Sequence, residues 1–158
     1  INYISIPSSI KIIKDEAFAD CMHLQYVHFQ KNSNLCSIGN KAFYSTSLKA
    51  FSFPSKVRKI KDQAFACCKK LESVTFSVGS SLTEIGSFIF AFCDELKFIE
   101  FLSEKTLTIG DNCFMNSKQL KLISIPNVNN LSIHLSSINY SLNDFTLCVN
   151  ANIKINFS

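Results

Sequence analysis

The chain has no tryptophan, two methionines, three prolines and four glycines in 158 residues. So few turn-formers argue against a fold built from many unrelated loops, because glycine and proline are the usual punctuation of such loops. Long apolar runs are also missing. The stretch from Phe88 to Cys93 is among the longest, far short of the roughly 18–20 residues that a membrane-spanning helix needs. Cysteines occur without a Cys-x-x-Cys pair, and His23, His28 and His134 are scattered. No structural zinc site, and no other metal or cofactor, is expected from that spacing. The seven cysteines are odd in number, so a complete disulfide framework would leave at least one thiol over. Gly-x-Ser-x-Gly, Walker, His-Glu-x-x-His and dinucleotide-fingerprint motifs are absent. The chain therefore reads as non-enzymatic, with no catalytic residue assigned.

The charge balance is weak. A formal net charge of +4 is too small and too dispersed to point to a nucleic acid. Its distribution is uneven. Residues 49–72 carry Lys49, Lys56, Arg58, Lys59, Lys61, Lys69 and Lys70 against Asp62 and Glu72, while residues 73–111 are net acidic. This reads as a mixed, solvated surface, with an electrostatic docking patch as the alternative.

Fifteen phenylalanines and a 47% hydrophobic composition belong to a repeat. Five segments align on Ile-x-x-x-x-Phe: Ile13 to Phe18, Ile38 to Phe43, Ile60 to Phe65, Ile85 to Phe90 and Ile109 to Phe114. Three residues after each Phe comes a small side chain: Cys21, Thr46, Cys68, Cys93 or Ser117. A second motif, Leu-x-x-apolar-x-apolar, follows each Phe. Its middle positions are Val27, Phe51, Val74, Ile99 and Ile123, with Ile4 opening the series and a weaker copy centred on Phe145. Pro7, Pro54 and Pro126 all directly follow this motif. Proline cannot donate to a strand ladder and so belongs at a strand's end. Gly39, Gly86 and Gly110 share another register, directly after the repeat's Ile.

A period of about 23–24 residues is the signature of a solenoid, in which stacked coils bury faces that no single coil can bury alone. The alternating end of Leu-x-x-apolar-x-apolar predicts a short strand with one face inward. The apolar pair before each Phe predicts a second extended edge. The Ala-Phe-x-x-Cys stretch predicts a helical turn whose Phe plugs the coil. Residues 127–158 lack the plug and contain eight asparagines. They read as a degenerate sixth repeat and a C-terminal cap.

These motifs resemble the leucine-rich-repeat superfamily, specifically its BspA-like type, most clearly in residues 6–29, from Ile6 through Ala17, Phe18, Cys21 and Leu24 to Phe29. The resemblance covers about residues 1–126, an array of about five repeats. It implies an α/β repeat solenoid: a right-handed coil with a parallel concave sheet and short helical turns on the convex side. It also implies a protein-binding role, often in surface or adhesion proteins, and gives no catalytic residues to transfer. Cell-surface placement follows from the resemblance. The cytoplasm is the alternative, favoured by unpaired thiols and the absence of a signal segment. In that alternative the chain is a structural or assembly scaffold that binds through its flanks or ends, in end-to-end contact with further repeats. Residue 1 already occupies a strand position, which suggests a cut through a longer array. Three Asn-x-Ser/Thr sequons, at Asn130, Asn139 and Asn156, are expected to matter only if the chain is secreted.

Within each strand motif the third and fifth positions point away from the core and would line the concave sheet. From these columns the candidate partner-binding residues are Tyr26, His28, Ser52, Thr75, Phe98, Glu100 and Leu122. An exposed Phe98 beside Leu122 would form an apolar patch of the kind that marks interaction sites, though sheet faces also tolerate such side chains through cross-strand packing. The Cys21, Cys68 and Cys93 column is expected to be small, buried core. Cys67 is expected to point outward.

Overall fold

The computed structural model of the chain describes residues 1–102, 105–125, 130–133, 136, 146–149 and 154–157. The chain winds as a parallel-strand solenoid, each turn contributing one strand to each of two walls. The first wall contains β1 (Tyr3–Ile6), β3 (Tyr26–Phe29), β5 (Ala50–Phe53), β7 (Ser73–Phe76), β9 (Phe98–Glu100), β11 (Leu122–Ile125) and β13 (Thr146–Val149). The second contains β2 (Ile12–Ile13), β4 (Ser37–Ile38), β6 (Lys59–Ile60), β8 (Glu84–Ile85), β10 (Leu107–Ile109), β12 (Asn130–Ile133) and β14 (Lys154–Phe157). The strands of the second wall pair in one continuous sheet from β2 to β14. All pairings are parallel and in register from coil to coil, as in Ile13 with Ile38, Ile38 with Ile60 and Ile60 with Ile85.

The first wall is not continuous. β1 pairs with β3, and β5 through β13 form a five-stranded sheet, but β3 and β5 are not ladder neighbours. One bond at the start, from Lys49 N–H to the Gln25 carbonyl at 3.2 Å, links the two. At the strand's far end one donor of the ladder is missing. In the second and fourth coils Gln30 and Ser77 donate their N–H groups to the carbonyls of Ile6 and Phe53 in the coil before. The equivalent residue in the third coil is Pro54, which has no N–H to give.

The predicted helical turns are not there: no α-helix occurs among the described residues. Each Ala-Phe-x-x-Cys stretch instead alternates between right- and left-handed backbone. The residues two before and two after the Phe have positive φ: Glu16 and Asp20, Lys41 and Ser45, Gln63 and Cys67, Phe88 and Phe92, Asn112 and Asn116, all between 51° and 62°. This alternation points every second N–H at the next coil. Glu16, Phe18 and Asp20 donate to the carbonyls of Asn40, Ala42 and Tyr44, each at 2.8 Å. Lys41, Phe43 and Ser45 do the same to Asp62, Ala64 and Ala66, and Gln63, Phe65 and Cys67 to Ser87, Ile89 and Ala91. A helical turn would close its N–H groups within its own coil. The left-handed residues cost about 1–2 kcal/mol each, and the interval of three inter-coil bonds per turn offsets that cost. The turns thus form a third hydrogen-bonded wall.

The core lies between these walls. The Phe column stacks ring on ring: Phe18 to Phe43 at 5.1 Å, Phe43 to Phe65 at 5.2 Å, Phe65 to Phe90 at 5.7 Å and Phe90 to Phe114 at 6.1 Å. All but Phe18 are buried. A second column from the first wall, Phe53, Phe76 and Phe101, stacks beside it. The two columns hold eight of the fifteen phenylalanines.

The small column after each Phe is more than filler. The Cys68 thiol donates to the Phe43 carbonyl at 3.1 Å, Cys93 to the Phe65 carbonyl at 3.2 Å and the Ser117 hydroxyl to the Phe90 carbonyl at 2.6 Å. Cys, Thr and Ser share the position because each is a small side chain with a donor. Cys21 departs from the expected burial. It is exposed, in the first of the described coils.

The register also corrects one sequence assignment. Ile123 pairs with Leu147, so Leu147 rather than Phe145 occupies the middle of the last strand. Phe145, Asn127, Asn139 and Pro126 lie outside the described residues.

Candidate functional site

Alternation along the first-wall strands sends one set of side chains to the core and the other to a solvent-facing surface. Core positions on β5 and β7 are buried, whereas Ala50, Ser52 and Thr75 are exposed. In-register pairing then aligns the outward residues into two columns. The first runs Tyr3 beside Tyr26, then across the divide Ala50, Ser73, Phe98, Leu122 and Thr146. The second runs Ser5 beside His28, then Ser52, Thr75, Glu100, Ser124 and Cys148. All seven candidate residues therefore fall on one face: Tyr26 and Phe98 are exposed at 45% and 43%, His28, Ser52 and Thr75 are exposed, and Glu100 and Leu122 are half-buried.

The first column has two apolar pairs around a small centre. Tyr3 and Tyr26 are direct neighbours on one side, and Phe98 and Leu122 on the other, with Ala50 and Ser73 between them and Thr146 beyond Leu122. Tyr3, 51% exposed, is the residue that sequence reasoning missed. Its signal was available, since it holds the third position of the opening motif. The second column is polar. The Thr75 hydroxyl donates to Ser52 Oγ at 2.9 Å, and the Ser124 hydroxyl to Glu100 Oε1 at 3.5 Å.

A recess of about 590 Å³ opens on the divide between β3 and β5. Its lining is mostly polar, with His28, Gln30, Asn32, Ser33, Ser52, Ser55, Lys56 and Ser77, and its apolar members are Val27, Phe29, Phe53 and Pro54. Unequal connections shape it. Phe29 to Leu35 and Phe76 to Leu82 take six steps each, but Phe53 to Val57 takes four. The longer loops carry left-handed residues at the same place, Asn32 and Gly79, and flank the short Pro54 turn.

A smaller hollow of about 170 Å³ lies on the turn face, lined by Tyr44, Gln63, Ala66, Cys67, Phe88, Ala91 and Phe92. The Cys67 thiol bonds the Tyr44 hydroxyl there and pushes its ionisation up. All seven cysteines are free. Burial raises the Cys68 thiol to about 11 and Cys113 to about 12, so both stay protonated at neutral pH. The basic and acidic blocks meet across coils, with Lys59 opposite Glu84 in register and their charged atoms 2.6 Å apart.

Comparison with known proteins agrees with this architecture. The profile described as a BspA type leucine rich repeat region (6 copies) matches residues 1–121 and 36–156. The chain belongs to the BspA-type leucine-rich repeat family. Among solved structures it is similar to the leucine rich repeat protein of T. pallidum, with a TM-score of 0.80 and 22% identity over 99% of this chain and 72% of that one. It is similar to a leucine-rich repeat protein from Bacteroides ovatus, with a TM-score of 0.62 and 23% identity over 98% of this chain and 48% of that one. The pneumococcal vaccine antigen PcpA aligns with a TM-score of 0.52 and 17% identity over 99% of this chain and 68% of that one. These likenesses show the fold. No curated protein matches the chain. BspA-type repeats support a protein-interaction module and are generally non-enzymatic. No helix among the described residues is long and apolar enough to cross a membrane.

Proposed function

We propose that the chain is a non-enzymatic protein-binding module that recognises a protein partner through the outward face of the first wall. The observation that carries this reading is the pairing of outward apolar side chains on either side of a small-residue centre in one column, exposed Tyr3 with exposed Tyr26 and exposed Phe98 with half-buried Leu122. Aromatic anchors separated by small residues suit a partner that lies across the strands, because a few large side chains carry most interface energy. Tyr26, His28, Ser52, Thr75, Phe98, Glu100 and Leu122 are the contact residues in this reading. The polar second column supplies the hydrogen bonds that set register. Membership of the BspA-type family supports a surface or adhesion protein as the setting, and PcpA, similar in fold, is described as a vaccine antigen.

The test is capture of partners by the intact chain and by a Tyr26→Ala, Phe98→Ala, Leu122→Ala variant. A partner held by the first and lost by the second, with the thermal midpoint of the variant unchanged, supports the sheet face. Retention by both would move the contact to the flanks or ends and favour a scaffold role.

A further inference from the structure

The recess on the divide keeps several hydrogen-bond donors that its own bonds leave over. Gln30 Oε1 accepts the Ser8 N–H at 3.2 Å, leaving its NH₂ group. Ser52 Oγ accepts the Thr75 hydroxyl at 2.9 Å, leaving its own O–H. Ser33 Oγ accepts the Leu35 N–H at 3.3 Å, again leaving an O–H. The Lys56 ammonium spends one donor on Asn34 Oδ1 at 2.7 Å and has two more. Ser55 and the Asn32 amide add donors and acceptors alike. Ser77 runs the other way, donating its hydroxyl to the Phe53 carbonyl at 3.0 Å. No carboxylate lines the recess among the described residues. One ammonium without a lining carboxylate favours an occupant that carries a negative charge. The apolar part of the lining, Val27, Phe29, Phe53 and Pro54, suits a body with an apolar face. The volume falls within the range of small-molecule sites.

We propose that this recess binds a carboxylated monosaccharide, a hexuronate-type ring whose carboxylate meets Lys56, whose hydroxyls meet Ser52, Ser55, Gln30 and Asn32, and whose C–H face lies on Phe29 and Pro54. The site goes beyond partner recognition by the sheet face. It shares His28 and Ser52 with that surface but needs neither Tyr26, Phe98 nor Leu122.

Titration of the isotope-labelled full chain with glucuronate, glucose and acetate, read by backbone amide shifts, tests it. Glucuronate is expected to shift the amides of Ser52, Ser55 and Lys56 along a saturating curve, with glucose and acetate about tenfold weaker. Lys56→Gln should weaken glucuronate about tenfold, the scale of a hydrogen bond to a charged group, and added salt should weaken it further. Ser55→Phe, which fills the recess from an exposed position, should abolish the response while the amides of β9 and β11 stay in place. The Tyr26, Phe98, Leu122 triple variant should bind glucuronate unchanged, which separates this site from the sheet face. Absence of saturable shifts at these residues, an equal response to glucose or acetate, or unchanged binding by Lys56→Gln would overturn the proposal.

Discussion

Glycine and aspartate act as a pair between coils. A Cβ at Gly39 would overlap the backbone and carboxylate of Asp15, and one at Gly86 would overlap those of Asp62. The space is used: Asp15 Oδ1 accepts the Asn40 N–H at 2.8 Å, and Asp62 Oδ1 the Ser87 N–H at 2.9 Å. Those bonds from Asn40 also hold the Asp15 carboxyl below its ordinary value. Gly39→Ala should therefore cost about 1–3 kcal/mol, the usual penalty for forcing atoms into a packed site. An unchanged urea midpoint would show that the coils can part to admit a methyl group. The Phe column gives the opposite test. Phe65 is fully buried between Phe43 and Phe90. Phe65→Ala should cost about 3–5 kcal/mol as a cavity-forming truncation, and a loss below about 1 kcal/mol would contradict its place as a plug. Both features were legible as registers in the sequence. The partnership of glycine with the preceding coil's aspartate was not, because it is a contact between coils.

At the scale of elements, the two walls follow from alternation and from the paired apolar residues, and both were legible. The turns were not. Five residues with one recurring Phe suit a short helix as well as a turn with left-handed residues, and the choice rests on where the N–H groups find partners. That depends on the neighbouring coil. Lysine, glutamate, glutamine and phenylalanine at left-handed positions give no sequence warning, since glycine and asparagine are the usual occupants. The alternation makes a sharp prediction. Glu16→Gly and Asp20→Gly, both at exposed left-handed positions, should leave stability unchanged or raise it by up to about 1 kcal/mol, because glycine relieves the strain. In a helical turn each would lower stability by about as much. Thermal denaturation of the two variants distinguishes these outcomes. The divide in the first wall was also half visible: Pro54 marks the lost donor, but unequal connection lengths on either side create a recess only once the coils are stacked.

At the scale of the whole molecule burial varies along the stack. Phe18, Ile4, Val27 and Phe29 in the first two coils and Leu147 on β13 are only partly buried, while the same columns are closed in the coils between. β12 and β14 extend the second wall beyond β10, and β13 extends the first beyond β11. Removing residues 127–158 should bare the edges of β10 and β11 and the rings behind them. The expected outcome is association of the truncated chain, since open strand edges recruit further strands. A monodisperse truncation by light scattering would show that this segment does not cap the stack. The sheet-face columns were legible residue by residue, because a period-two strand fixes which side chains point out. What binds there was not legible, since exposed Tyr, Phe and Ser residues describe a surface and not its partner.

The most direct test of the account compares two faces of the same stack. Partner capture would be measured for the intact chain, for the Tyr26→Ala, Phe98→Ala, Leu122→Ala variant and for a turn-face variant carrying Met22→Ser, Phe92→Ser and Met115→Ser, all at exposed positions. The account predicts that the turn-face variant keeps the partner and the sheet-face variant loses it. Loss from the turn-face variant alone would contradict it and place recognition on the third wall.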